Sequence, residues 1–322
     1  MNIFYNTLRN LKNISWILIA KILGAIGLII LIASLLWIIF DYNYFGWFLR
    51  INSKTASELG GFISGFVGIF WTAAGVILIY ATFNKQRELN DKQQFETAFF
   101  NLLSTYHNLV QNTSDNIDKN NDGNKQDFNG REFISAVLNE IKSGLSSTSF
   151  KIHLSRNTSI PEIKQFHKTL GKTEKNMEML PKPEFEIDDM ISKFESTDVS
   201  KEFIIAQYDY FYNKHQAKLG HIFRFLYNIF KFTIHERNRY NDQKRYIDLI
   251  QAQLSSDELA LLFYNALSKN AKSSEGELRF YNWLENFNFF ENIDKNSLLK
   301  KGHANFYPKT RFKFLDNNDD LQ

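Results

Sequence analysis

Ile22-Leu-Gly-Ala-Ile-Gly-Leu-Ile-Ile-Leu-Ile-Ala-Ser-Leu-Leu-Trp-Ile-Ile-Phe40 runs for 19 residues without a charge. As a helix rising about 1.5 Å per residue it reaches roughly 28 Å, close to the thickness of a bilayer core. A second uncharged run follows from Leu59 to Phe83. Its reach of about 37 Å allows it to span with tilt. Trp16, Trp37, Tyr42, Tyr44 and Trp47 cluster near the ends of the first run, as interfacial aromatics do. A cleaved signal peptide fits less well, because the run is long for an h-region and no A-x-A-like site follows. The expectation is a transmembrane hairpin over 1–83, with spans near 22–40 and 59–83.

Lys and Arg set the orientation. Arg9, Lys12 and Lys21 lie before or at the first span, Arg50 and Lys54 between the spans, and Lys85, Arg87 and Lys92 after the second. Both flanks are richer than the loop, which places both termini in the cytoplasm of a bacterial inner-membrane protein. Neither run carries a central Asp, Glu, Lys or Arg, which argues against a proton relay or an ion-coupled transport site. The second run holds Gly61, Gly65, Gly68 and Gly75. Small residues on one stripe let helix backbones approach closely, either against the first span or between copies of the chain.

The rest, 84–322, reads as a cytoplasmic all-helical domain, so the fold class is all-α. Polar residues from Asn84 to Gln94 continue the second span without Gly or Pro. Phe95, Phe99, Leu102, Leu103, Tyr106, Leu109 and Val110 then recur at helical spacing, which predicts one long helix ending near Gln111. Asn112 to Gly130 reads as a polar loop. Within it Asp118, Asn120 and Asp122, followed by Gly123, match the start of a calcium-binding EF-hand loop. Lys125 at the eighth position and Asn129 at the twelfth break the match, so no metal or other cofactor is expected. Arg131 to Lys142 is a short amphipathic helix, and 143–200 mixes turn signals with short helical pieces.

From Lys201 to Glu236 the pattern is again helical. Leu219, Ile222, Phe223, Leu226, Phe230 and Thr233 share one face. Lys214, Lys218, His221, Arg224 and Lys231 share another, and no acidic residue lies between Asp209 and Glu236. A basic stripe beside aromatics could hold nucleic acid or anionic lipid; the plain alternative is a solvated face with acidic neighbours elsewhere in the fold. Asn241 to Leu254 is another helix. Ser255 and Glu258 then form a capping box, with Leu254 and Leu259 as its staple, opening a helix to about Leu267. Glu277 to Phe290 predicts the last helix, and the tail after Pro308 reads as frayed.

The net charge of +3 selects no partner, and the absence of cysteine excludes disulfides and cysteine-ligated zinc. No metalloprotease, P-loop, nucleophile-elbow or dinucleotide motif occurs, so no catalytic residue is assigned and an enzyme is not expected. His107, in a helix of core aromatics, reads as a packed or surface histidine.

Phe95-Glu-Thr-Ala-Phe-Phe-Asn-Leu-Leu-Ser-Thr-Tyr-His-Asn-Leu-Val110, Leu219-Gly-His-Ile-Phe-Arg-Phe-Leu-Tyr-Asn-Ile-Phe-Lys-Phe232 and the stretch from Tyr246 to Ser268, behind such a hairpin, resemble the AbiC-like family of phage abortive infection proteins. The resemblance implies a role in defence against bacteriophage and supplies no active site. The leading expectation is a membrane-acting defence effector. Its helical domain would sense a phage-derived or defence-system partner, and its hairpins would then assemble, for instance as a homo-oligomer, or rearrange to disturb the bilayer. The alternatives are a membrane-tethered module that binds nucleic acid or protein, and a cryptic enzyme such as a nuclease.

Overall fold

The computed structural model describes residues 16–40, 53–117, 125–147, 150–151, 153, 163–164, 200–236, 240–272 and 276–316. Asp118, Asn120 and Asp122 of the calcium-like loop, most of 143–200, and Arg9, Lys12 and Arg50 of the orientation argument lie outside them. The chain divides into two compact units, Met1–Glu96 and Thr97–Gln322. It is all-helical apart from one two-stranded ribbon among the described residues.

In the first unit, α1 spans Trp16–Phe40. α2 spans Ser53–Phe62 and passes through a π-helical turn, Ile63–Val67, into α3, Gly68–Gln111. Such a turn inserts one residue into the helical ladder and re-aims the faces on either side of it. Both stretches are long and apolar enough to cross a membrane. Neither is a core helix: Ile29 and Ile69 are each 65% exposed, and Leu28, Leu36, Trp71, Val76 and Phe83 also stand outward. Trp16 meets Tyr80 edge to face at 5.7 Å. The close approach between spans falls at Gly27, where an added Cβ would lie 2.5 Å from the Trp71 indole nitrogen. Gly61, Gly65, Gly68 and Gly75 have nothing within 4 Å of such a Cβ. α1 contacts the π-helical turn Ile63–Val67, which holds Gly65, but no side chain among the described residues fills the space over the four glycines. The bulky Trp71 seats against Gly27 instead and leaves the four glycines facing open space.

The second unit opens with the end of α3, where Phe99, Tyr106 and Val110 are buried as the spacing predicts. The expected loop over 112–130 is corrected to an antiparallel ribbon. β1, Ser114–Ile117, pairs with β2, Gln126–Asn129, Ser114 opposite Asn129 and Ile117 opposite Gln126. These strands lack apolar alternation, so tertiary context overrides weak local propensity. Strands rather than helices thus flank the calcium-like loop, unlike an EF-hand. Gly130, at φ +58°, turns the chain from β2 into α4, Gly130–Lys142, and its N–H donates to Thr113 O at 2.8 Å. Glycine adopts that left-handed conformation at least cost, having no Cβ.

α5 spans Lys201–Glu236, α6 Tyr240–Gln253 and α7 Ser256–Leu267, all close to expectation. Ser255 Oγ accepts from the Glu258 N–H at 3.2 Å, and Glu258 Oε2 accepts from the Ser255 N–H at 2.6 Å, completing the capping box. Glu258 is also a buried tertiary anchor. Its carboxylate accepts from Tyr106 Oη at 3.2 Å and lies 3.4 Å from Arg131 Nε, so it ties α3 and α4 to α7. Ser255→Ala should cost about 1 kcal/mol of unfolding free energy, read by chemical denaturation. A loss near zero would mean that the tertiary bonds of Glu258 hold the helix start without the cap.

α8, Arg279–Asn286, stops short of the expected Phe290. Asn288 adopts φ +55°, a left-handed conformation that ends the helix. Its side-chain oxygen then accepts from the Arg311 N–H at 2.7 Å. That bond begins a correction to the frayed tail. Phe312 is buried, the Lys313 N–H donates to Glu291 O at 3.0 Å, and a last turn, α9, spans Lys313–Asp316. The core between these helices is aromatic. Phe263 lies 4.5 Å from Tyr307 and 5.3 Å from Phe290, and Phe230 packs edge to face on Phe280 and Phe289. Two of the buried tyrosine hydroxyls are satisfied there: Tyr307 donates to Phe263 O at 2.8 Å, and Tyr208 accepts from Asn265 Nδ2 at 3.0 Å.

Candidate functional site: the basic face of α5 and the cavity beside it

The apolar half of α5, Leu219, Ile222, Phe223, Leu226, Phe230 and Thr233, is buried. The 3.6-residue period therefore turns Lys214, Lys218, His221, Arg224 and Lys231 outward, and all five are exposed. They are not equivalent. Lys214 is tied down: its ammonium lies 2.9 Å from Glu140 Oε1 and 4.5 Å from the centre of the Phe211 ring. Lys218, His221, Arg224 and Lys231 form no ion pair among the described residues.

Lys214 leads into a buried charge network that the sequence did not announce. His215, 6% exposed, holds Glu140 Oε2 at 2.8 Å through Nε2 and Asp115 Oδ2 at 3.0 Å through Nδ1. Glu140, 3% exposed, thus receives both His215 and Lys214. Burial alone would push the imidazole pKa down, but the two carboxylates outweigh it and hold it above 6.5. Burial likewise raises Glu140, but the bonds from His215 and Lys214 outweigh it and hold the carboxyl below 4.5. The result is an imidazole clamped between β1 and α4, with its charged form favoured by the two carboxylates.

Arg224 borders a second feature, a cavity of about 210 Å³. α5 contributes Tyr212, Phe223, Arg224 and Tyr227 to its wall. Asn265 comes from α7, Asn270 and Lys272 from the turn after it, and Arg279 and Phe280 from α8. Arg224 Nε donates to Gly220 O at 2.9 Å, which fixes the guanidinium and leaves its terminal nitrogens for other contacts. Tyr227 is held flat by Trp283, whose ring stacks on it at 5.3 Å. Asp209 stands beside the cavity and accepts from Asn270 Nδ2 at 3.1 Å. Burial raises its pKa to about 6, with Lys269 opposing.

Reading the sequence alone identified Arg224 as part of the stripe and missed Lys272, Arg279, His215, Glu140 and Asp115. His107, which it read as packed or on the surface, is exposed on α3 and bonds Gln111 Nε2 at 2.7 Å. No group of three or more His, Cys, Asp or Glu that could hold a metal occurs among the described residues.

Two long apolar helices ahead of a helical unit with a basic face and a cavity define the class of this protein. Comparison narrows it: residues 214–298 match the family described as "putative phage abortive infection protein". The AbiC-like resemblance is thereby borne out over that range, which holds most of α5, all of α6–α8 and the whole lining of the cavity except Tyr212. The Phe95–Val110 segment lies outside it. No curated protein and no solved structure matches the chain.

Proposed function

We propose that this chain is an abortive-infection effector of the bacterial inner membrane, with both termini cytoplasmic. Its helical unit senses a phage-derived or defence-system trigger, and its apolar helices then disturb the bilayer. The observation that carries the reading is the match to a phage-abortive-infection family over 214–298 behind two outward-facing apolar helices. Sensing must bias two states through different affinities for them, because equal binding shifts nothing. The chain acts without catalysis on this reading, and its partners are the bilayer, further copies of itself and the trigger. The test is membrane potential in expressing cells during phage challenge. Depolarisation before lysis is expected. Protection with intact potential would favour the runner-up, a tethered binding module, supported by the cations of α5 that form no ion pair among the described residues.

Two further outcomes follow. A reporter fused after Gln322 should behave as cytoplasmic and one inserted near Ser53 as periplasmic; the reverse would overturn the orientation. Gly61→Leu with Gly65→Leu should leave insertion intact and abolish protection, because the open glycine face is where a second copy could approach closely. Full protection by the inserted double variant would remove that face from the mechanism.

A further inference from the structure

We propose that the cavity between α5, α7 and α8 binds a free mononucleotide. Arg224 and Lys272 hold its phosphate, beside the Arg279–Glu277 pair, and the aromatic wall and two asparagines hold its base. The inference deepens the sensing half of the proposed function and rests on it only for its biological meaning; the binding itself stands on geometry. Arg224, Lys272 and Arg279 line one small cavity, and no carboxylate is among the described residues of its wall. Glu277 pairs with Arg279 Nε at 3.0 Å and compensates it, and Asp209 accepts from Asn270, so Arg224 and Lys272 supply the charge for an anion. Two cations side by side suit a multivalent anion, and a phosphate matches the anchored Arg224 guanidinium in a forked pair of hydrogen bonds. Lys272 adds a mobile point charge at the chain's exit from the turn.

The rest of the wall does not suit a bare anion. Phe223, Tyr227 and Phe280 offer apolar ring surface, and Tyr227 keeps its plane because Trp283 backs it. Base-on-aromatic stacking is a general device for holding nucleobases. Asn265 and Asn270 both spend their amide nitrogens inward, on Tyr208 and Asp209. Their side-chain oxygens accept no hydrogen bond among the described residues, which suits the exocyclic amine of a base. Cationic charge, ring surface and amide acceptors within about 210 Å³ fit a single nucleotide rather than a polymer.

The test is calorimetric titration of the purified full-length chain in detergent with AMP, GMP, CMP, UMP, inorganic phosphate and a single-stranded oligonucleotide. At least one mononucleotide should bind one per chain, at least ten-fold tighter than inorganic phosphate. Arg224→Gln should weaken it ten-fold or more, and Arg224→Lys by less. Near-ultraviolet circular dichroism shows that each variant keeps its fold. Phosphate binding as tightly as every mononucleotide would overturn the proposal, leaving a plain anion site. The oligonucleotide binding best would also overturn it, in favour of a nucleic-acid face. Lys218→Gln with Lys231→Gln changes stripe cations off the cavity wall, and a loss equal to that of Arg224→Gln would overturn the cavity as the site. No binding by any mononucleotide overturns it outright and leaves the membrane reading, scored by potential in cells, standing.

Discussion

Glu140→Ala is expected to lower the unfolding free energy of the helical unit by about 3 kcal/mol at pH 6, because it breaks a buried pair and strands the other charge. Glu140 is where His215 and Lys214 converge, at 2.8 and 2.9 Å. Without it, His215 keeps only Asp115 and sits against the Phe133 ring, 6.0 Å away, with its charge poorly compensated. Glu140→Gln keeps the volume and one acceptor, so its cost should be smaller.

The same network gives the stability a pH profile. His215 has a folded pKa above 6.5, so its contribution is complete below that value and is lost as pH rises through the folded value. Glu140 has a folded pKa below 4.5, so its contribution is present above that value and is lost as pH falls through the folded one. The network therefore contributes most between about 4.5 and 6.5. Asp209 adds a separate limb. Its carboxyl is raised from 3.8 to about 6, so stability falls as pH climbs across that interval. Denaturation of the full chain from pH 4 to 9, followed by near-ultraviolet circular dichroism, reads these limbs. Asp209→Asn should flatten the segment between pH 4 and 6, and Glu140→Gln should flatten the segment above 6.5. A profile unchanged by Glu140→Gln would mean that the imidazole is neutral in the folded chain.

The contrast between α5 and this network shows what a sequence makes legible. Lys201–Glu236 could be bounded from the sequence because Leu219, Ile222, Leu226 and Phe230 repeat at the period of one helix. The start of α7 could be placed because a capping box is a local, four-residue chemistry. His215 had no such marker. Its partners lie 75 and 100 residues away, and neither Glu140 nor Asp115 differs from a solvated carboxylate until the fold closes over it. Lys272 and Arg279 were invisible as site residues for the same reason: only the packing of α8 beside α5 brings them to Arg224. The tail was misjudged because its anchor, Asn288 at a positive φ, reads as an ordinary polar residue.

The membrane reading makes the sharpest demand on α1. Ile29, 65% exposed, and Ile32, 47% exposed, sit near its middle. On a helix facing water, changing both to Asp would remove exposed apolar surface and leave the fold almost untouched, as surface substitutions usually do. In a bilayer each Asp costs about 3 kcal/mol at the helix centre. Between Ile22 and Phe40 the chain has 13 Leu, Ile and Phe residues to offset that cost. At roughly 0.45 kcal/mol apiece they favour insertion by about 6 kcal/mol, so two aspartates erase the preference and one does not. Ile29→Asp with Ile32→Asp should therefore drive a large share of the chain out of the alkali-resistant membrane fraction, while Ile29→Asp alone leaves most of it inserted. Ser34, by comparison, carries its hydroxyl safely, since Oγ donates to the helix's own carbonyls at Ile30, 2.9 Å, and Leu31, 2.8 Å. If the double variant fractionates with the membrane as fully as the parent, α1 does not lie in hydrocarbon. If the parent itself is released by alkali, the apolar face of α1 is covered by protein, and the effector mechanism loses its membrane arm.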